Sequence, residues 1–211
     1  MALNKIRIRT FGTLLCVLSV AGPALAQTDS RGAPVTSTAA LSRIRIDNFG
    51  KINDNYFRGA QPKARDYADL SAMGIKTVLD LQKDGPSDEP GLVRRAGMQF
   101  YRIPMTTSVA PTEAQIAQFF KIVNDPANQP VFVHCAGGRH RTGTMTALLR
   151  MTQDGWNADR AYSEMKRFHF EGFLDHPVLR RFVYAYKPVP VTAPPGVLAT
   201  TVVPAAVGTT K

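Results

Sequence analysis

Cysteine is scarce in this chain of 211 residues: Cys16 and Cys135 are the only two. So few thiols supply no disulfide framework of the kind that holds a small secreted scaffold, so a hydrophobic core must hold the fold. Tryptophan is scarcer still, with Trp156 alone. No strip interleaves aromatic and basic side chains, which argues against a nucleic-acid surface. Acids are also in short supply, 16 against 26 Lys and Arg, for a formal net charge of +10. That balance favours anionic partners without choosing among them. Internal repeats are lacking, and beyond the N-terminus no run is apolar and long enough to span a bilayer.

Residues 1–26 read as an export signal. Lys5, Arg7 and Arg9 form a basic start, Phe11 to Ala21 is mostly apolar but short for a membrane span, and Ala24-Leu25-Ala26 has the small-x-small pattern of a cleavage site. An uncleaved anchor is the alternative reading. Cys16 lacks the small residue expected just ahead of a lipid-modified cysteine. Cleavage after Ala26 would remove three basic residues and no acids, leaving a charge of about +7 and Cys135 as the sole thiol. The expected destination is the periplasm or the exterior, without stable membrane insertion. A lone thiol has no internal disulfide partner, so oxidation should give sulfenic acid, a sulfenamide or a bridge to another chain.

Residues 27–43, rich in Ser, Thr, Ala, Gly and Pro, read as a flexible leader. Residues 187–211 repeat Pro, Ala, Val and Thr with almost no charge, and read as an extended, disordered tail. The folded body is then 44–186.

Within it, ten residues stand out: His134-Cys135-Ala136-Gly137-Gly138-Arg139-His140-Arg141-Thr142-Gly143. They follow the apolar run Val131-Phe132-Val133 and precede an apolar-periodic stretch from Met145, which reads as strand, tight loop and helix. A short loop entering a helix N-terminus can aim several N–H groups into one concavity. Gly137 and Gly138 permit the backbone angles of such a curl. Arg141 adds a planar fork matched to two phosphate oxygens. Cys135 would lie in a positive bowl that favours its thiolate, the nucleophilic form.

His-Cys-x-x-Gly-x-x-Arg-Thr-Gly at 134–143 resembles the signature of the cysteine-dependent protein tyrosine and dual-specificity phosphatases. The resemblance implies two displacements through a phosphocysteine, with no metal and no cofactor. It implies Cys135 as nucleophile, Arg141 as phosphoryl clamp and the backbone of Ala136, Gly137, Gly138, Arg139 and His140 as cradle. Thr142 would offer its hydroxyl to the cysteine sulfur, and His134 would support the loop from behind. Tyr56-Phe57-Arg58-Gly59-Ala60-Gln61-Pro62 and Gly74 to Leu81 are similar to the N-terminal half of atypical bacterial, plant and fungal members. Asp125-Pro126-Ala127-Asn128-Gln129-Pro130 and the pair Arg139-His140 resemble members that cleave inositol pyrophosphates.

The remaining pattern alternates strands and helices. Strands are expected at 49–52, 56–58, 77–81, 100–103 and 131–133, and helices at 63–73, 92–96, from a Thr112 cap to about 124, 142–153, 158–168 and 177–186. Such alternation predicts an α/β fold with a mainly parallel central sheet flanked by helices, and a ligand site at the carboxyl end of a strand. The phosphatase resemblance implies the same.

One part is missing. Phosphatases of this kind usually carry an aspartate ahead of the cysteine that protonates the leaving oxygen, help typically worth about 10²–10⁴-fold. The corresponding loop, residues 104–111, holds no acid. Glu113, Asp80 and Asp175 are the candidates, with Glu171 a further one; Glu113 would also suit a helix's first turn, and Asp175 would also suit the cap of the last helix. Three readings follow. The first is an exported, metal-independent phosphatase acting on phosphotyrosine or related phosphoesters. The second keeps the chemistry with an inositol polyphosphate or phosphoinositide substrate. The third is a phosphate-binding module that turns over weakly; a sulfurtransferase is more remote.

Overall fold

The computed structural model describes residues 43–171 and 176–188. The expected export signal, almost all of the expected leader and tail, and Asp175 therefore lie outside the described residues. No helix among the described residues is long and apolar enough to cross a membrane.

Five strands form one sheet: β1 (Gly50–Asn53), β2 (Tyr56–Ala60), β3 (Thr77–Gln82), β4 (Gln99–Met105) and β5 (Val131–Cys135), in the order β1-β2-β5-β3-β4. Only the β1–β2 pair is antiparallel; β2–β5, β5–β3 and β3–β4 are parallel. The helices are α1 (Asp66–Ala72), α2 (Glu89–Arg95), α3 (Glu113–Asn124), α4 (His140–Gln153), α5 (Ala158–Arg167) and α6 (Pro177–Ala185). This is the expected α/β architecture. Thr112 caps α3 through a reciprocal capping box with Gln115. At α6 the cap position belongs to His176, whose side chain caps nothing, rather than to Asp175.

The two faces of the sheet bury separate cores. Side chains alternate along a strand. Val131, Val133 and Cys135 join one core with Leu79, Leu81 and the α4 residues Met145 and Leu148. Phe132 joins the other with Phe57, Val78, Leu70 of α1 and Val93 of α2. The alternation fixes everything that follows. Arg58, between Phe57 and Gly59, falls on the Cys135 face, whereas His134 and its cross-strand neighbour Asp80 fall on the opposite one. Strand β5 is fully buried with a parallel neighbour on each side, so its carboxyl end opens at the middle of the sheet. There the chain leaves Cys135 and enters α4 at His140.

Candidate active site

The loop 136–139 is held by its carbonyl groups. Ala136 O accepts from Gln61 N at 3.2 Å. Gly138 O accepts from Asn48 Nδ2 at 2.9 Å and from the Arg58 guanidinium, and Gly137 O lies 3.4 Å from the same Asn48 nitrogen. Three successive carbonyls thus turn toward β2 and its approach. In a trans peptide the N–H points opposite to the C=O, so the amides face away from β2. The loop then runs into the N-terminus of α4, whose first amides have no partner within the helix.

Gly138 makes the curl possible. Its φ is +62°, and a Cβ there would meet the Gly59 carbonyl carbon and oxygen at 2.4 Å and Ala60 N at 2.6 Å. Loop and strand touch backbone to backbone, which only glycine allows. Gly137, expected to share that role, has no positive φ, and a Cβ on it would meet only the Arg139 side chain, at 3.6 Å.

Cys135 ends β5 where this loop begins and is 2 % exposed. Arg141, in the first turn of α4, has its side chain mostly covered. Its Nη1 donates to Met105 O at 3.3 Å and lies 3.5 Å from Asp84 Oδ1, while its buried Nε has no partner among the described residues. Arg139 is exposed at the rim. The His140 ring stands 3.8 Å from that of His176 and 5.3 Å from that of Phe170, centroid to centroid. Thr142 is fully buried, but its hydroxyl has no hydrogen-bond partner among the described residues, so the expected bond to the cysteine sulfur is not formed. Helix geometry leans a first-turn side chain toward the preceding loop, yet this hydroxyl finds no acceptor in reach.

His134, expected to support the loop from behind, is held instead in a buried network on the far face of the sheet that the sequence did not announce. Arg102 of β4, Asp80 of β3 and His134 of β5 are register neighbours across the sheet. His134 Nε2 lies 2.9 Å from Glu89 Oε1, off the line of an ideal hydrogen bond, and Nδ1 lies 3.9 Å from Asp80 Oδ1. Tyr67 and Gln61 donate to the same Glu89 oxygen at 2.8 and 2.9 Å. Arg102 Nε donates to Asp80 at 2.7 Å, and its Nη2 reaches Glu89 at 3.3 Å. Burial by itself would raise the Glu89 carboxyl, but His134, Tyr67 and Gln61 outweigh it and hold it down, at about 2. Burial raises the Asp80 carboxyl, with His134 opposing and Glu89 adding to the rise.

The ligand atoms of Asp80, Glu89 and His134 lie within 4.8 Å of one another, close enough to hold a metal ion. Their oxygens are already engaged by Arg102, Tyr67 and Gln61, and an ion would have to displace the guanidinium. The donor set fits a buried polar brace better than a metal centre.

The same geometry sorts the candidate acids. Asp80 is fully buried on the sheet face away from Cys135, with its oxygens on Arg102 and the Gln82 amide, so it cannot reach a leaving group above the cysteine. Glu113 stands exposed at the first position of α3, where the helix dipole favours it, and Glu171 is exposed at the edge of the described residues. Asp175 lies outside them. An acid that sequence reasoning passed over comes closer. Asp84, on the loop after β3, touches Arg141 because β3 and β5 are parallel neighbours whose carboxyl ends open side by side.

Residues 36–176 match the family model described as "DSP-PTPase phosphatase fused to NAD+ Kinase". The chain belongs to the DSP-PTPase phosphatases. Two curated relatives show the range of this family. The "Probable tyrosine-protein phosphatase DG1060" of Dictyostelium discoideum is 31% identical over 126 residues, covering 57% of this chain and 75% of that protein. The "Inositol diphosphatase SIW14" of Saccharomyces cerevisiae is 26% identical over 133 residues, covering 60% of this chain but only 47% of the yeast protein. The crystal structure of the core catalytic domain of SIW14 in complex with citrate superposes with a TM-score of 0.61 at 24% identity, over 68% of this chain and 88% of that domain. The fold is therefore that of a tyrosine-phosphatase-like domain, and this DSP-PTPase is an enzyme of the cysteine-type phosphatase family.

Arg58, Asn48, Glu89 and Asp84 are the site residues that the motif did not name. For Arg58 a signal existed: a charge between the core residues Tyr56 and Phe57 and a glycine, on a strand otherwise wholly buried.

Proposed function

We propose that this DSP-PTPase hydrolyses phosphate monoesters through a phosphocysteine, acting after export to the periplasm or beyond. The turned-away carbonyls of Ala136, Gly137 and Gly138 carry the reading, because they leave the amides of the loop that follows Cys135 to face an oxyanion. In the first step the Cys135 thiolate attacks phosphorus. The S–P bond forms, the P–O bond to the alcohol breaks, and the leaving oxygen takes a proton from Asp84. The Arg141 fork rotates from Met105 O and Asp84 onto two equatorial oxygens, and the cradle amides hold the third. In the second step Asp84, now a carboxylate, takes a proton from water as the water attacks phosphorus. The S–P bond breaks, and inorganic phosphate leaves with the thiolate restored. Loop amides and Arg141 carry the positive charge that a metal would otherwise supply.

The first substrate class is phosphotyrosine or a related phosphoester. A second, inositol pyrophosphates, is supported by the exposed Arg139 beside the bowl and by a relative named for inositol diphosphate cleavage. The test is phosphate release in EDTA by wild type and Cys135→Ser, from p-nitrophenyl phosphate, a phosphotyrosine peptide and an inositol pyrophosphate. Release that vanishes with Cys135→Ser supports the enzyme, and the preferred substrate chooses the class. Release that survives the substitution, or none from folded, reduced protein, overturns the mechanism. Localisation is read by fractionating cells that express the full chain: recovery of shortened protein outside the cytoplasm supports export, and full-length protein in the cytoplasm overturns it.

A further inference from the structure

Arg58 is a buried cation with no carboxylate at ion-pair distance among the described residues. It is 1 % exposed. One nitrogen donates to Gly138 O, the guanidinium carbon lies 4.0 Å above the Phe168 ring, and Nε has no partner among the described residues. Burying a guanidinium in this way is costly unless an anion compensates it. Among the described residues three titratable groups act on it, Tyr56, Cys135 and Glu164. Tyr56 is bonded to Thr146 and pushed up by burial, so it stays a neutral phenol. Glu164 is already paired with Arg150, at 2.9 Å. Cys135 remains. It shares the sheet face with Arg58, since β2 and β5 pair Arg58 with Val133 and Ala60 with Cys135.

We propose that Arg58 is a positioning residue of the phosphatase reaction: from beneath the loop it anchors the Gly138 carbonyl and acts as the fixed countercharge of the Cys135 thiolate. Arg141 has to leave its resting partners to reach substrate, whereas Arg58 is fixed before substrate arrives. Burial pulls its guanidinium down to about 10, with Cys135 among the groups that oppose the fall, so it is still a cation at neutral pH. Asn48 shares the anchoring but carries no charge. The inference rests on Cys135 being the nucleophile, yet it can be tested without turnover.

The experiment is the rate of Cys135 alkylation by iodoacetamide against pH, in the full-length protein, with Cys135→Ser reporting any reaction at Cys16. Far-ultraviolet circular dichroism checks folding. Arg58→Met should move the midpoint up by about one pH unit, slowing alkylation on the acid side roughly tenfold. Arg58→Lys should recover most of that shift but not full phosphate release, because an ammonium cannot reproduce the guanidinium's contact with Gly138 and Phe168. Asn48→Ala should leave the midpoint in place. Arg58→Gln, uncharged but still a donor, replaces the methionine variant if that one does not fold. A folded, uncharged variant whose curve superposes on wild type overturns the proposal. So does an Asn48→Ala shift as large as that of Arg58→Met, which would assign the effect to loop geometry. A wild type that releases no phosphate but still shows the Arg58-dependent midpoint overturns the assigned reaction and leaves the countercharge standing.

Discussion

Gly138→Ala against Gly137→Ala compares the same change at adjacent positions with opposite expectations. At Gly138 the new methyl would lie 2.4 Å from the Gly59 carbonyl, and the nearest tolerable approach is about 3.0 Å, so the loop must lift by about 0.6 Å. The φ of +62° adds about 1–2 kcal/mol for any residue with a Cβ. Lifting the loop also weakens the bonds that Arg58 and Asn48 make to the Gly138 carbonyl, and the charged one alone is worth about 1.5–3 kcal/mol. Together these predict a loss of about 3 kcal/mol and a Tm lower by about 10 °C for a domain of this size. Catalysis should suffer more, because a displacement approaching 1 Å near the reacting atoms costs about 10²-fold. Gly137→Ala meets only the flexible Arg139 side chain at 3.6 Å and should keep its Tm within about 2 °C. The assays are calorimetry and p-nitrophenyl phosphate turnover. A Gly138→Ala protein with the Tm of Gly137→Ala and wild-type turnover would refute the claim that backbone contact with β2 shapes the loop.

Asp84→Asn should slow release from alkyl phosphates by about 10²-fold and from p-nitrophenyl phosphate far less, since a good leaving group needs no proton; equal loss on both would remove Asp84 from the acid role. Glu89, held at about 2, stabilises the fold above the unfolded carboxyl value near 4.5 and loses that contribution as pH falls toward 2, about 3 kcal/mol at most. Asp80 is raised and works in the opposite direction, so it blunts the loss. Urea midpoints from pH 6 down to pH 3 should therefore fall for wild type and fall less for Glu89→Gln; parallel curves would count against the His134–Glu89 brace. Arg141→Lys should raise KM and lower kcat for p-nitrophenyl phosphate together by about tenfold or more, because an ammonium cannot hold two phosphoryl oxygens in one plane; steady-state kinetics with unchanged values would refute the clamp.

Local sequence determined a good deal here. Strand β5, the Thr112 cap and the helix after the loop follow from apolar runs, capping chemistry and period, and the structure has each of them within a few residues of its expected bounds. Cys135, Gly138 and Arg141 were legible because their chemistry is local: strand end, curl and helix start are consecutive in the chain. The rest was decided by strand order and by the pleat. Nothing local says that β5 lies between β2 and β3, yet that order brings Arg58 beneath the loop and Asp84 beside Arg141. Nothing local says that Asp80 points away from the cysteine; the two-residue period of β3 does, once its register with His134 is set. Glu89 is an ordinary first-turn acid in sequence and a buried partner of His134 in space, 45 residues apart in the chain. The sequence by itself set out Cys135 and the loop that follows it, because adjacency along the chain built them. The contacts of Arg58 under the loop, of His134 with Glu89 and of Asp84 with Arg141 come from parallel strands, which gather residues that only tertiary structure makes neighbours.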